Sequence, residues 1–401
     1  MAEEHGKGGI HALWVALLCG SLSITGVRAD IWYVEPAASL QVFYEDNIGL
    51  NIRDETSSAG YRLRGRLKGG KRSENTDLNL GVEIERRQYF SDSDRDTNDF
   101  RFDGQAIRRI ERDRFELNVA FDYDSTLTSE TATTGRVQRN RRRKRWHVAP
   151  LWERQLTERL AVNANASYQD VSYDDGLRYG LVDYTYGTVG SGFNYTLDER
   201  TRAIGRLSYA RYEADDFDSE SDTVGVLGGV GYAISEDWLV TALFGVRQTD
   251  TESLRENDDS TGSLFDISSR RTFETGTLNA RLYRDLTPSG DGLLDTTGLR
   301  VSWDQQIAPR WRWLLSANAY RNERPSGNSS SVDRDYFSIT PRLRYQLERD
   351  WSLEGGYRYR YQKYDSSSDS AEANAVFLTI DYRPRRCLLY TSDAADEYNP
   401  V

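Results

Sequence analysis

Residues 223–234 read TVGVLGGVGYAI and residues 238–246 read WLVTALFGV, with the polar triplet SED between them. In the first segment the larger apolar side chains stand at every second position, with mostly small residues between them. The second segment alternates in the same way. Because successive side chains of a β-strand point to opposite faces, each segment has one continuous apolar face. The triplet predicts a tight turn, so the two segments form an antiparallel hairpin.

This alternation recurs along nearly the whole chain, for example in residues 78–84, 115–123 and 376–382. No comparable stretch has the helical spacing of apolar residues. The mean hydropathy of −0.71 is that of a soluble protein, and no run after the N-terminus is long and apolar enough for a membrane helix. A transmembrane barrel escapes that test, since only alternate residues of its strands face lipid.

The connections between the predicted strands are alternately short and long. Residues 198–200 and 348–350 are short polar turns, whereas residues 125–136 form a long connection. Outer-membrane barrels have short periplasmic turns and longer external loops, which is the same alternation. The alternation of short and long connections continues through the region after residue 250 only if two strands lie there, at roughly 262–273 and 277–286.

These features predict an all-β protein, a transmembrane antiparallel up-and-down β-barrel formed by residues 30–386. We expect about 18 strands, with 16 as the alternative count. A soluble propeller or sandwich would explain the strands. It would not explain the N-terminal leader, the alternating loop lengths and the aromatic strand ends together.

The two ends of the chain differ from the repeating region. Residues 1–29 have the apolar core and the VRA site of a secretory signal peptide. Cys19 suggests a lipoprotein as the alternative, although its neighbours Leu18 and Gly20 do not fit that signal. Residues 387–397 read CLLYTSDAADE, which resembles the translated read-through of a sequencing adapter. We therefore interpret residues 387–401 as a non-native tail.

The composition argues against chemistry and against nucleic acid. His5 and His11 lie in the leader, so His147 is the one histidine of the predicted barrel, and both cysteines lie outside it. Hydrolase triads and zinc sites need more of these residues than that. We expect no catalysis, no cofactor and no metal centre. The formal net charge of −11 predicts no nucleic-acid partner.

Charged residues occupy the face opposite the apolar one in several predicted strands. If Tyr61, Leu63 and Leu67 face lipid, the basic residues between them point into the lumen. A charge facing lipid at mid-depth would cost about 2–4 kcal/mol, which supports this assignment. The same parity gives ten candidate pore-lining residues: Arg62, Arg64, Arg66, Lys68, Glu83, Glu85, Arg342, Arg344, Arg358 and Arg360.

Two interpretations of these charges stay open. Glu116, Asp122 and Glu354 also point inward, so the lumen could be filled with salt bridges. Alternatively the pore favours anions, because rings of arginine and lysine select anions.

Acidic loops and tryptophans mark the two ends of the predicted barrel. The segments SDSDRDTND, DDFDSESD and RENDD would lie outside the cell, either as solvated loops, as a calcium site, or as divalent-ion bridges to lipopolysaccharide. Six tryptophans lie near short turns or strand ends, where they predict an interfacial girdle or, less simply, a track for sugars: Trp152, Trp238, Trp303, Trp311, Trp313 and Trp351.

The segments FYEDNIGLN (43–51), LTPSGDGLL (286–294) and NAVFLTIDYRP (374–384), with the repeated short acidic turns, resemble the beta-barrel porin 2 family. The resemblance covers most of residues 37–385 and rests on loose strand patterns. It implies an outer-membrane location and suggests polysaccharide export, since that family includes barrels associated with exopolysaccharide and exosortase gene clusters. It transfers no site residues.

The sequence thus predicts an outer-membrane porin-like channel for exopolysaccharide or another anionic solute. The alternative is a non-conducting structural or assembly barrel of the envelope. The expected partners are outer-membrane lipid and lipopolysaccharide, an anionic polysaccharide, and the barrel-assembly machinery.

Overall fold

The structure of the chain is a computed structural model that describes residues 31–130, 140–214, 219–252, 258–290, 292–325, 333–384 and 387–390. The predicted signal peptide, residues 1–29, lies outside these ranges, as do residues 391–401 of the predicted non-native tail. Among the described residues no helix is long and apolar enough to cross a membrane.

The described residues form eighteen long strands and one short strand: β1 Ile31–Glu45, β2 Ser58–Arg72, β3 Thr76–Tyr89, β4 Thr97–Ile110, β5 Asp113–Ser125, β6 Arg142–Gln155, β7 Leu160–Tyr173, β8 Tyr184–Thr196, β9 Thr201–Ala214, β10 Ser219–Ser235, β11 Trp238–Glu252, β12 Asp258–Phe273, β13 Gly276–Ser289, β14 Gly292–Ala308, β15 Trp311–Glu323, β16 Arg334–Gln346, β17 Trp351–Tyr364, β18 Ser370–Tyr382 and β19 Cys387–Tyr390. Two 3₁₀ turns, Ser93–Arg95 and Gly176–Tyr179, and the one-turn helix α1, Thr126–Ser129, lie in connections between strands.

The strands close into an antiparallel barrel. Each long strand pairs with its neighbours in the sequence, and β1 also pairs with β18. Leu40 of β1 therefore stands opposite Leu63 on one side and Ile380 on the other. The predicted all-β barrel of about 18 strands is confirmed. The short β19 pairs with the first residues of β1, Ile31–Val34.

The hairpin of β10 and β11 has the predicted arrangement. Val226 stands opposite Val246, and the two strands are joined at residues 236–237. The region after residue 250 also contains the two predicted strands, β12 and β13, joined at residues 274–275. The connections on that side of the barrel are short throughout the described chain, as expected for periplasmic turns.

Alternation divides the wall into an apolar outer face and a polar inner face. Val226 is 49% exposed and Phe244 is 59% exposed, although both are large and apolar. A continuous apolar exterior of this kind is stable only in lipid, and a closed barrel leaves no unpaired strand edge there. The protein is therefore a β-barrel of the Gram-negative outer membrane, with porin architecture.

The six tryptophans singled out above all lie on the outer face near the short turns. Trp152 donates a hydrogen bond from Nε1 to Asp113, and Trp238 donates one to Ser269, each at 2.9 Å. Such side chains combine an apolar ring with a polar atom, which suits the boundary between lipid and water. Their position matches a girdle at the periplasmic boundary, and they do not face the lumen.

We expect an introduced charge to destabilise the outer face of β10 and β9 more than their inner face. Val226 lies near the middle of β10 and faces lipid, whereas Ser208 of β9, opposite Gly225, faces the lumen at the same level. Val226→Lys should lower the free energy of unfolding in lipid vesicles by about 2–4 kcal/mol. Ser208→Lys should change it by less than about 1 kcal/mol. Urea titration in vesicles measures both, and equal losses would contradict the assignment of faces.

Candidate functional site in the barrel lumen

The structure places all ten predicted residues on the inner face of the wall. Arg62, Arg64, Arg66 and Lys68 alternate along β2 with the outward Leu63 and Leu67; Glu83 and Glu85 lie on β3, Arg342 and Arg344 on β16, and Arg358 and Arg360 on β17. Whether these residues line a conducting pore stays a prediction.

Closure of the barrel brings the two ends of the chain together. Because β1 pairs with β18, the strands β16, β17, β18, β1, β2 and β3 follow one another around the wall. The charged residues of β16 and β17 therefore join those of β2 and β3 in one sector, which we call the basic sector. Arg358 of β17 contacts Glu45 of β1 at 3.0 Å, which shows this proximity directly.

In the basic sector several carboxylates are each shared by two or more arginines. Glu85 lies 3.1 Å from Arg62, 2.5 Å from Arg64 and 3.1 Å from Arg87. These contacts join guanidinium nitrogens to carboxylate oxygens, and Glu85 is almost buried. Three positive charges around one negative charge leave the cluster with an excess of positive charge.

The same pattern repeats around Glu354 and Glu45. Glu354 lies 2.6 Å from Arg344 and 3.6 Å from Arg342. Glu45 accepts hydrogen bonds from both Arg358 and Arg360. The salt bridges that the sequence predicted are present, and the arginines in them outnumber the carboxylates.

The charge pattern changes further round the wall. On β4, β5 and β6, Asp122 lies 2.6 Å from both Arg101 and Arg145. On the next two strands the inner face carries mostly neutral polar side chains: Asn163, Asn165, Ser167, Gln169, Thr188 and Asn194. His147 faces inward on β6, opposite Ala120 and Gln169. The lumen thus has one strongly charged side and one nearly neutral side.

Exposure of the inner wall differs between its two ends and around its circumference. At the periplasmic end the Arg72 side chain of β2 is 60% exposed and that of Arg109 of β4 is 48% exposed. Nearer the outer end, Arg101 of β4 is still 51% exposed, whereas the Arg247 side chain of β11, paired with Asp295, is 1% exposed. The lumen is therefore open to solvent at its periplasmic half, and protein atoms fill part of its outer half.

The connection between β1 and β2, residues 46–57, fills one part of the outer end. Its Leu50 is fully buried against Tyr320 and Tyr336 from the inner face of β15 and β16. Gln362 donates a hydrogen bond to the Leu50 carbonyl, and Arg360 donates to the carbonyls of residues 47 and 48. These contacts fold the loop into the barrel instead of letting it extend into solvent.

The tip of the β13–β14 hairpin, residues 286–290 and 292–294, fills another part. It packs with Leu286 and Leu293 against an apolar cluster that includes Tyr184 and Tyr212 of β8 and β9. The Val182 amide donates a 3.0 Å hydrogen bond to the Gly290 carbonyl. The Tyr212 hydroxyl donates one of 3.0 Å to the Ser289 carbonyl. The hairpin therefore reaches across the lumen to strands that are not its neighbours in the wall.

The helix α1 connects these two parts. Its Leu127 packs with Ile48 of the first loop. At its end, Glu130 accepts a 3.0 Å hydrogen bond from the Tyr173 hydroxyl, which belongs to the cluster around the hairpin tip. We call residues 46–57, 126–130, 174–183, 286–290 and 292–294 together the outer plug. It forms a chain of contacts across the outer end of the barrel.

The plug was not predicted from the sequence, and one of its parts was predicted wrongly. From the sequence alone, residues 31–50 form one extended segment that ends in a polar loop at residues 51–58. β1 instead ends at Glu45, and Ile48 and Leu50 are buried loop residues. Apolar residues in an external loop were the available signal, and so were the leucines on both sides of the turn in LTPSGDGLL.

The acidic loops are described only in part. The segment SDSDRDTND contains a 3₁₀ turn, whereas residues 215–218 of DDFDSESD and residues 255–257 of RENDD lie outside the described residues. Where the chain is described, no group of three or more His, Cys, Asp or Glu side chains is placed to hold a metal ion. A calcium site and bridges to lipopolysaccharide stay predictions.

Comparisons with known proteins add likenesses of low identity. No family model and no curated protein matches the chain. Among solved structures, the outer membrane protein OpdK from Pseudomonas aeruginosa is similar at 11% identity with a TM-score of 0.45, covering 88% of this chain and 99% of its own. OccAB2 from Acinetobacter baumannii has 10% identity and a TM-score of 0.47, with coverage of 89% and 98%. Likenesses at these values show neither a family nor a solute.

We expect Glu85 to be essential for holding the basic sector together. Glu85→Gln would leave Arg62, Arg64 and Arg87 close together without their shared carboxylate. The free energy of unfolding should fall by about 3 kcal/mol, as for other ion pairs broken on one side in a buried place. Asp304→Asn is the matched control, since its partner Arg312 is half exposed, and it should cost less than about 1 kcal/mol. Urea titration in vesicles distinguishes the two, and equal small effects would show that water screens the Glu85 cluster.

Proposed function

We propose that the protein is an outer-membrane porin-like channel that passes anionic solutes, with acidic exopolysaccharide as the favoured cargo. The observation that carries the proposal is the basic sector, in which partly exposed arginines on the inner wall outnumber the carboxylates beside them. Fixed positive charge along a lumen lowers the energy of an anion there and raises that of a cation. The work is selection by width and charge, without catalysis.

The arrangement of the lumen also favours a direction. The basic sector is accessible from the periplasmic half, whereas the outer plug has to move before a solute can leave. A solute coming from the periplasm would therefore meet the selective wall first and the closed end second. This order suits export better than uptake. The resemblance to barrels from exopolysaccharide clusters supports the same direction.

The outer plug also favours a second candidate function. If the contacts around Leu50 and the hairpin tip never open, the barrel would be a non-conducting structural or assembly component of the envelope. Its partners would then be outer-membrane lipid, lipopolysaccharide and the barrel-assembly machinery, as they would be for the channel. The two candidates differ in conductance after the plug is weakened.

We expect weakening of the plug to open the channel. Leu50→Asp combined with Leu293→Asp places carboxylates in two buried apolar clusters, while the strands of the membrane-spanning wall keep their pairing. Single-channel conductance in a planar bilayer should rise at least several-fold over that of the parent. Leu177→Asp is the matched control, because Leu177 lies in the same outer region but is exposed. A double variant that inserts and does not conduct would favour the structural barrel.

We expect the open channel to prefer anions. In the plug-weakened background, the reversal potential under a salt gradient should have the sign of anion selectivity. Arg64→Ser with Arg66→Ser should move it toward zero, because both side chains are accessible on the inner wall. The preference should weaken with salt, since screening acts over about 10 Å at 0.1 M. Cation selectivity before the arginines are replaced would end the anion proposal.

A further inference from the structure

A cavity lies in the basic sector at the seam where the first and last long strands, β1 and β18, pair. It has a volume of about 270 Å³ and is bounded by inner-face residues of β16, β17, β18, β1, β2 and β3. A second cavity of about 350 Å³ adjoins it toward the periplasm and shares Ser39, Arg64, Asp381 and Arg383 with it. Because one strand pair closes the barrel here, both cavities depend on the contact between β1 and β18.

The first cavity has a large excess of positive charge. Among the described residues around it, seven are arginines and three are acids, namely Glu45, Glu354 and Asp381. Each of Arg62, Arg342 and Arg358 is paired with one carboxylate, but the buried Nε atoms of Arg342 and Arg358 have no hydrogen-bond acceptor among the described residues. With Glu85 counted, which lies behind Arg62, the arginines around the cavity still outnumber the acids, and an anion in the cavity would offset the excess charge.

The remaining lining is suited to a hydroxylated ring. Gln41 and Thr379 of adjacent strands are joined by a 2.9 Å hydrogen bond and offer polar atoms to the cavity. Phe43 and Phe377, opposite each other across the seam, supply apolar ring surface. Arginine forks match the geometry of carboxylate and phosphate oxygens, while amides, hydroxyls and aromatic rings suit the rest of a sugar.

We propose that this cavity is a binding site for one acidic sugar unit, whose oxyanion group lies among Arg62, Arg342 and Arg358. The volume is close to the lower end of the range for ligand cavities, about 300 Å³, which suits a single ring. The adjoining cavity would take the next unit of a chain. The inference rests on the proposed function, because it places the basic sector on the path of the solute. It adds the chemical class of the solute, an acidic sugar.

The two arginines for the test are chosen so that no carboxylate loses its last partner. Glu85 keeps Arg64 and Arg87 when Arg62 is replaced, and Glu354 keeps Arg344 when Arg342 is replaced. The variant is Arg62→Gln with Arg342→Gln. The matched control is Arg206→Gln, which removes an inward arginine of β9 whose acidic neighbour Asp266 is 3.9 Å away and keeps Arg281.

The experiment is isothermal titration calorimetry of the full-length, refolded barrel in detergent, with galacturonate, glucose 6-phosphate and glucose as probes. Heat-modifiable gel migration confirms that each variant is folded. We expect at least one acidic sugar to bind and glucose to bind at least tenfold more weakly. Binding of galacturonate alone assigns the site to carboxylates, and binding of glucose 6-phosphate alone assigns it to phosphates. Arg62→Gln with Arg342→Gln should weaken that binding at least tenfold, because it removes two charged hydrogen-bond donors. Arg206→Gln should leave the binding within about twofold.

Three results would overturn the proposal: no binding of either acidic sugar to the folded parent, equal binding of glucose, or equal effects of the double variant and the control. The titration needs no conductance. A barrel that binds acidic sugars but never conducts would therefore refute the proposed channel and support the proposed binding site. A channel that conducts anions without binding these sugars would support the channel and refute the binding site.

Discussion

Backbone groups in lipid have no water to bond with, so the strands of this chain can cross the membrane only as a closed ladder. The pairing of β1 with β18 completes that ladder, and the rest of the structure depends on it. Once the ladder is closed, the alternation of side chains assigns every second residue to lipid and the others to the lumen. The charges of the strands are therefore concentrated on the inner wall, where Arg358 from one end of the sequence contacts Glu45 from the other.

The strands are longer than the membrane requires. A 14-residue strand such as β7 spans roughly 45 Å, or roughly 35 Å along the axis at the usual tilt, against an apolar band about 25 Å tall. The excess length lies at the outer end, where the loops and the β13–β14 tip fold inward and bury apolar side chains against the wall. The consequence for function is an asymmetric lumen, with accessible charge toward the periplasm and the outer plug on the other side.

The features that could be predicted from sequence are those set by near neighbours. An apolar period of two along the sequence identifies each strand and the side of the wall to which each side chain points. The period therefore predicted the strand count and the pair β12 and β13, and it predicted that Arg62 and its alternating neighbours point inward. The contact of Arg358 with Glu45 could not be predicted, because it exists only after the barrel closes. Leu50 was misjudged for the same reason, since the path of its loop is decided by distant residues such as Tyr320. The local sequence pattern does not show which part of the barrel wall a loop will contact.

The central claim is that the lumen is open to the periplasm and closed by protein at its outer end. Side-specific labelling of a single cysteine tests it most directly, using Arg66→Cys in a background with Cys19→Ser and Cys387→Ser and a bulky, membrane-impermeant maleimide. Arg66 is about one-third exposed on the periplasmic side of the plug. The account predicts labelling when the reagent reaches the periplasm in permeabilised cells and none when it is added outside intact cells. Labelling from outside at a similar rate would contradict it.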